Sequence, residues 1–220
     1  MNKEWSEHNK EMQTLLRKRE TYKQGIAVLF ELREKLMQVI FSFRDELTRD
    51  DLNAMPFANA KGYHSKTIAY SLWHIFRIED IVANTLIKGE EQVLFSGDHV
   101  SQIGFPIITT GNELVGEEIA DFSEKLDIDE LYYYMADVKK NTEEMINGLG
   151  YDELKSRISD ERREKLKSLN VVSDDESAAW LIDYWCGKDV RGLIQMPFSR
   201  HWIMHIEACL RIKEKLAKLK

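Results

Sequence analysis

Apolar side chains recur at alternating three- and four-residue spacings through long stretches of this 220-residue chain. This spacing places them on one face of an α-helix, which can then pack against a core. It predicts core helices over residues 25–47, 65–88, 127–149 and from 197 to the carboxyl end. Only three prolines are present in the whole chain. The sequence therefore predicts an all-α fold.

The segments between these helices are less regular. Residues 1–23 carry a narrow apolar stripe, which predicts an amphipathic leader helix packed on the main body. Residues 50–61 and 90–111 are interrupted by glycine, asparagine and proline, which predicts a loop in each case. A short helix is expected over residues 112–126, before the third core helix.

The region at residues 151–187 is an insertion before the last core helix. Its first part is almost entirely polar and predicts one or two short, solvated helices. Ser173 and Glu176 have the spacing of a capping box, which predicts the start of a further helix that ends near Gly187. Because nothing in the composition marks a linker, we expect one domain over residues 1–220.

Composition and charge exclude several classes of partner. The formal net charge of −7 would repel a phosphate backbone, so we expect no nucleic-acid partner. No run approaches the ~20 apolar residues that a membrane span requires, and the amino terminus is polar, so we expect a cytoplasmic protein with no membrane partner. The two cysteines, Cys186 and Cys209, are too few for a disulfide framework and are expected to be thiols.

Two of the six histidines, His201 and His205, lie four residues apart in the last core helix. This spacing brings both side chains to one helix face, and both fall with apolar residues such as Ile206. An inward-facing histidine is usually a hydrogen-bonded core residue, but two on one face can share a metal ion. Cys209 continues the same stripe, but it lies ~12 Å along the axis from His201, too far to join that ion.

A third histidine, His74, lies at the edge of the apolar arc of the second core helix. If that helix packs against the last one, His74, His201 and His205 form a three-histidine site with an open coordination position. The alternative is a packed histidine whose tautomer is fixed by a hydrogen bond. The remaining histidines, His8, His64 and His99, are expected to be solvated. His99 lies in the long loop and is the reserve ligand, because such a loop could fold over the end of the bundle.

The residues around the histidine pair exclude two common metal chemistries. Trp202, Ile203 and Met204 separate the two histidines, so the glutamate base of an H-E-x-x-H protease is absent. No glutamate stands three residues before any histidine, which excludes the E-x-x-H pairs of di-iron bundles. A neutral site of three nitrogens suits zinc or nickel.

Two carboxylates are candidate catalytic groups. Glu79 occupies the middle of the apolar arc of its helix and needs a partner there, either as a proton carrier beside the metal or as half of a structural ion pair. Asp183 lies among Trp180, Tyr184 and Trp185, which could wall a pocket. Aromatic residues at helical spacing are more often ordinary core.

The segments Ser71–Asp80 and His201–His205 together resemble the DinB/YfiT-like superfamily, in which a W-H-x-x-x-x-E-D-like stretch is followed by H-x-x-x-H in the fourth core helix. The resemblance covers the core helices, and it does not cover the leader helix or residues 151–187. It implies a four-helix bundle of unusual connectivity, one divalent ion held by His74, His201 and His205, and, in many members, a dimer. Some members are transferases or isomerases that use a low-molecular-weight thiol.

Three functions are consistent with these features. The leading hypothesis is a metal-dependent enzyme, in particular an S-transferase in which the ion binds a thiolate cosubstrate and presents it to an electrophile. The competing hypothesis is a non-catalytic stress or interaction protein whose ion only joins two helices. The third is metal-assisted hydrolysis, for which only Glu79 or Asp183 offers a general base.

Overall fold

The structure is a computed structural model that describes residues 2–60, 62–104 and 107–220. Over these ranges the chain is helical and forms no β-strand, apart from one isolated bridge between Arg157 and Asp189. The all-α class is therefore confirmed. Lys61 and Pro106, which fall in the two predicted loops, lie outside the described residues.

The α-helices are α1 (Lys3–Leu15), α2 (Tyr22–Glu46), α3 (Arg49–Asn53), α4 (Ile68–Asp80), α5 (Val93–Ser96), α6 (His99–Gln102), α7 (Glu117–Lys125), α8 (Ile128–Gly148), α9 (Asp160–Ser168), α10 (Glu176–Cys186), α11 (Val190–Gln195) and α12 (His201–Ala217).

The chain divides into two compact units. The first unit consists of the residues up to Ile75 together with Val115–Lys125 and Ser199–Lys220. The second unit consists of Phe76–Leu114 and Leu126–Phe198. Every candidate metal ligand named above belongs to the first unit, apart from His99.

The leader helix of the first unit is shorter than predicted. α1 ends at Leu15, and α2 begins at Tyr22 rather than at residue 25. The two helices pack together, and Leu16 approaches Gly25 so closely that a β-carbon there would meet it at 3.0 Å. A side chain at residue 25 would press against Leu16, so Gly25 allows the turn after α1 to lie close to α2.

Helix α12 packs on α2 in the core of the first unit. The two helices are joined by Arg33, which is fully buried and holds its guanidinium 4.3 Å from the centre of the Trp202 ring. A cation over an aromatic face is attracted by the ring quadrupole, most strongly where water is excluded. Since Trp202 lies between the two paired histidines in sequence, this contact helps to fix the rotation of α12.

The segment predicted as a loop over residues 50–61 contains the short helix α3, so that prediction is wrong at its beginning. A capping box explains the helix: the Thr48 side chain accepts from the Asp51 amide, and the Asp51 carboxylate accepts from the Thr48 amide. Arg49 then donates to the carbonyls of Ser123 and Glu124, near the end of α7. α7 itself occupies only the later part of the helix expected over residues 112–126.

The helix that carries His74 has two parts. α4 is followed by a π-helical segment, Ile81–Lys88, and the whole ends at Gly89, whose φ of 74° is left-handed. The predicted end is confirmed, because glycine adopts this conformation without the strain that a β-carbon causes. The predicted start at residue 65 is too early, since the Thr67 hydroxyl caps the first turn by accepting from the Tyr70 amide.

Residues 90–111 of the second unit are not the long loop that was predicted, because they include α5 and α6. The buried Asp80 carboxylate holds this segment in place by accepting from the Val93 and Leu94 amides, at 2.8 and 3.0 Å. It also accepts from the Tyr134 hydroxyl at 2.9 Å. Further donors to Asp80 are the Asn84 amide and the Arg77 guanidinium.

The third core helix is confirmed as α8, with the Asp127 side chain capping its first turn. The insertion at residues 151–187 contains a 3₁₀ turn, Glu153–Lys155, and then α9. From α9, Arg162 and Lys165 donate to the carbonyls of Lys88 and Gly89 at 2.9 and 2.7 Å. Cations near a helix carboxyl end satisfy its unpaired carbonyls, so the insertion caps the helix that continues from α4.

Two predicted boundaries in the second half of the chain are wrong. α10 is capped by Asp175, whose side chain accepts from the Ser177 amide, and Ser173 is not the cap. The last core helix was predicted to begin at residue 197, but Met196–Arg200 is π-helical and α12 begins at His201. A further short helix, α11, precedes the π-helical segment. None of the described helices combines the length and the apolar character that crossing a bilayer demands.

Candidate metal centre

The three histidines predicted as ligands meet inside the first unit. His74 comes from the middle of α4, and His201 and His205 come from the first two turns of α12. Their exposed fractions are 5%, 7% and 3%, so all three are buried. Each offers one ring nitrogen, and these three nitrogens lie within 4.8 Å of one another. The arrangement is compatible with a single metal ion.

The three imidazole rings contact one another. Ring centres lie 4.6 Å apart for His201 and His205, and 4.8 and 5.1 Å from His74 to His205 and His201. Zinc binds imidazole nitrogen at about 2.0–2.1 Å, which puts tetrahedral ligand atoms about 3.3 Å apart. The limit of 4.8 Å on the distances between the three nitrogens is wider than this spacing, so the rings must move closer together to share one ion.

The nitrogen atoms of the paired histidines lack the hydrogen bonds of ordinary core histidines. Within the described ranges, Nδ1 and Nε2 of His205 and Nδ1 of His201 are buried and have no hydrogen-bond partner. A buried nitrogen without a partner costs free energy, about 1–3 kcal/mol per group. A metal ion satisfies such a lone pair, so the residues present fit a bound cation. A histidine held by a hydrogen bond, the alternative interpretation, does not describe His205.

The electrostatics favour uncharged imidazoles. Burial lowers the pKa of His205 well below its ordinary value, and the neighbouring His201, His74 and Lys66 lower it further. Burial also lowers the pKa of His201, with a smaller contribution from His74. Neutral imidazole is the form that binds metal, since protonation removes the lone pair.

Two tyrosines and a lysine that the sequence analysis did not identify surround the cluster. The Tyr70 ring stacks on His74 at 5.6 Å with an 11° angle between the planes. The Tyr63 ring meets His205 edge-on, with centres 4.6 Å apart. Lys66 holds its ammonium 5.1 Å from the Tyr70 ring centre, and burial lowers its pKa. Lys66, Tyr70 and His74 are spaced by four residues, which is a signal that could have identified the first two.

The cysteine next to this site behaves as a core residue, as predicted. Cys209 is fully buried one turn after His205, and burial raises the pKa of its thiol to about 12. Both cysteines are free thiols, which confirms that prediction.

The two candidate catalytic carboxylates both lie in the second unit. Glu79 is fully buried, as its place in the apolar arc of its helix predicts. Asp183 is exposed on α10 and forms an ion pair with Arg163. The aromatic residues around it do not all belong to the core, since Trp185 is buried and Trp180 is 52% exposed. A catalytic role for either carboxylate stays a prediction.

The remaining histidines have partners of their own. His99 was predicted to be solvated and is instead buried, because Glu130 and Asp137 bind its two ring nitrogens at 2.6 and 3.2 Å. Both ring nitrogens of His99 are therefore engaged by carboxylates, and His99 does not serve as the reserve metal ligand. The other two are partly exposed: His8 is 3.2 Å from Glu31, and the His64 ring contacts Phe57 edge-on.

Comparison with known proteins gives no match: no model of a protein family matches the chain, and no curated protein is significantly similar to it.

Proposed function

We propose that His74, His201 and His205 bind one divalent ion, zinc or nickel, and that the protein is a metal-dependent enzyme of the DinB/YfiT-like kind. The observation that carries this proposal is the set of buried ring nitrogens without hydrogen-bond partners on His201 and His205, next to a third histidine. Buried polar groups in an ordinary core are nearly all hydrogen-bonded, and an ion would satisfy these nitrogens instead.

The surroundings of the cluster support a reaction with a low-molecular-weight thiol. A bound divalent ion supplies Lewis acidity and lowers the pKa of a thiol or water molecule that it binds. Burial lowers the pKa of His201 and His205, which favours their uncharged forms, so these two ligands would not neutralise the positive charge of the ion. Tyr63 and Tyr70 shield the rings from water, and the half-buried Lys66 adds a positive charge that attracts an anionic cosubstrate. We propose S-transfer to an electrophile as the reaction, in a protein that forms a homodimer.

Metal analysis of the purified protein tests the first half of this proposal. Wild type should contain about one zinc or nickel ion per chain, and His201→Ala and His205→Ala should each lower the content by at least about tenfold. His64→Ala is the matched control, since its ring lies in the first unit but outside the cluster, and it should keep its metal. Stoichiometric metal that persists in both cluster variants would end the proposal.

An activity measurement tests the second half. Metal-loaded protein should accelerate the addition of a small thiol to a chlorodinitrobenzene, in which the thiolate sulfur forms the new bond and chloride leaves. The His205→Ala variant should show only the uncatalysed rate. If metal-loaded wild type accelerates no thiol addition to any general electrophile, S-transfer is wrong even if the metal is present.

A structural ion is the second candidate function, favoured by the burial of all three ligands below one-tenth exposure. In that case the ion joins α4 to α12 and has no reactive position. Metal removal would then lower the melting temperature, and the metal-loaded protein would show no catalysis and no binding of small molecules near the cluster.

A further inference from the structure

His99 lies between two carboxylates in the second unit. The residue is 4% exposed, so its ring is buried. Its Nδ1 atom lies 2.6 Å from Oε1 of Glu130, and its Nε2 atom lies 3.2 Å from Oδ2 of Asp137. Both carboxylates belong to α8 and are seven residues apart, which places them on one helix face, whereas His99 is the first residue of α6. The His99 side chain therefore joins α6 to α8 through both of its ring nitrogens.

These two contacts require a proton on each ring nitrogen. An ionised carboxylate only accepts hydrogen bonds, and a neutral imidazole has one N–H and one bare nitrogen. With a neutral ring, one nitrogen lone pair would therefore face a carboxylate oxygen and repel it. The imidazolium donates from both nitrogens, and hydrogen bonds between charged partners are the stronger ones. The two carboxylates therefore favour the charged ring.

The backbone before α6 is shaped to accept this ring. A β-carbon at Gly97 would lie 2.6 Å from Cδ2 and 2.7 Å from Nε2 of His99, so a side chain at residue 97 would press against the imidazole. Asp98 adopts a left-handed φ of 61°, which is uncommon for a residue other than glycine. The His99 carbonyl accepts from the Ile103 amide at 2.9 Å. The position of the ring is therefore tied to the turn before α6 and to the helix itself.

The other ionisable groups around the ring are neutral or acidic. From α8, Tyr134 packs its ring against His99 at 5.4 Å and donates its hydroxyl to Asp80. Burial, followed by the Asp80 charge, raises the pKa of Tyr134 well above its ordinary value, so the phenol stays neutral. α5 also packs on α6 and has no ionisable side chain, and Asp98 lies in the turn between them. Asp127, at the start of α8, donates its amide to the carbonyl that follows α6.

We propose that His99 is a pH-sensitive clamp: as the imidazolium it holds α6 on α8, and it loosens this contact when it loses a proton. Because the folded arrangement favours the charged ring, the stability that the clamp contributes is present at lower pH and is lost as the pH rises. A neutral ring keeps only one of the two hydrogen bonds, so α6 opens more often. All of these residues belong to the second unit, so the clamp does not depend on the metal centre.

Nitrogen NMR of histidine-labelled protein tests the protonation state of the ring. An imidazolium gives two protonated nitrogens, whereas a neutral ring gives one protonated and one bare nitrogen. The signals of His99 are those that His99→Gln lacks. We expect both nitrogens to be protonated at pH 7, where an unperturbed histidine is mostly neutral, and one to lose its proton by pH 9.5. One bare nitrogen at pH 7 would overturn the clamp, and two protons still bound at pH 9.5 would overturn its sensitivity to pH.

Two variants test the role of the carboxylates. Glu130→Gln and Asp137→Asn each remove one negative charge beside the ring, so the midpoint of the His99 titration should move to lower pH by about one pH unit. Asp121→Asn is the control, because it removes the same charge from an exposed position on α7, and it should leave the midpoint unchanged. A midpoint that is the same in all four proteins would show that the carboxylates do not hold the proton.

Hydrogen exchange tests the consequence for α6. The Ile103 amide is the reporter, since it donates to the His99 carbonyl. Its protection, corrected for the intrinsic effect of pH on exchange, should fall at least about fivefold between pH 6.5 and pH 9 as one hydrogen bond is lost. The amides of α10, whose first turn is capped by Asp175, are the internal control and should keep their protection. Protection at Ile103 that changes no more than that of α10 would contradict the release of α6.

Discussion

At the scale of single residues, His205 gives the strongest support for the proposed metal site. Both of its ring nitrogens are buried, and neither has a hydrogen-bond partner among the described residues. The spacing of His201 and His205 was enough to predict their shared face, and His74 was predicted from its place on the apolar arc. Tyr63 could not be predicted in the same way, because it lies in a segment without helical period and reaches His205 only through the tertiary fold.

The two thiols should differ in reactivity. Cys209 is fully buried with a pKa raised to about 12, whereas Cys186 is only partly buried and burial raises its pKa less. Since the thiolate is the reactive form, native protein at pH 8 should be alkylated at Cys186 and not at Cys209. Mass spectrometry after a short iodoacetamide pulse checks this, with denatured protein as the control in which both react. Equal labelling of the two in native protein would contradict the burial of Cys209.

Asp51 should make stability depend on pH in the acid range. Hydrogen bonds from Lys220 and Thr48 lower its pKa from 3.8 to about 2 in the folded protein. The folded state therefore favours the charged form, so its contribution is complete above pH 3.8 and is lost as the pH falls through about 2. Asp51→Asn should lower the free energy of unfolding by about 1 kcal/mol at pH 6, because it also weakens the capping box.

Urea unfolding at a series of pH values measures this difference. The gap between wild type and Asp51→Asn should narrow between pH 4 and pH 2, while Asp50→Asn, at the exposed neighbouring position, should behave as wild type. A gap that stays constant down to pH 2 would mean that the Asp51 charge contributes nothing.

At the scale of helices, the long periodic elements were predicted, whereas the shortest helices, α3, α5, α6 and α11, were not. The third core helix was expected over residues 127–149 and is Ile128–Gly148, because seven buried positions repeat along one face. α5, α6 and α11 contain four, four and six residues, too few to show a period. Their formation depends on partners distant in sequence, such as the Asp80 carboxylate that binds the first amides of α5.

Asp80 should stabilise α5, because its carboxylate binds the first two amides of that helix. Asp80→Asn keeps the shape of the side chain but removes the charge that Arg77 and the two α5 amides bind. Loss of a buried charge with several donors should lower the free energy of unfolding by about 2–4 kcal/mol. Hydrogen exchange should accelerate most at the Val93 and Leu94 amides. Asp98→Asn, in the turn before α6, is the control, and similar exchange in both variants would contradict the role of Asp80.

At the scale of the whole molecule, the proposed ion joins parts of the chain that are far apart in sequence. More than half of the chain separates His74 from His201, yet their rings lie 5.1 Å apart. A ligand that binds only the folded state stabilises it, by about 2.7 kcal/mol at a free concentration of 100 times its Kd. Zinc should therefore raise the melting temperature of wild type and leave that of His205→Ala unchanged. An equal rise in both proteins would place the metal elsewhere.

Anomalous diffraction from crystals of the metal-loaded protein, measured at the zinc and nickel absorption edges, tests the metal centre most directly. The proposed site predicts one strong peak between α4 and α12, about 2.0–2.1 Å from one nitrogen each of His74, His201 and His205. An anomalous peak only at other residues, or none in protein that contains stoichiometric metal by analysis, would contradict the three-histidine site.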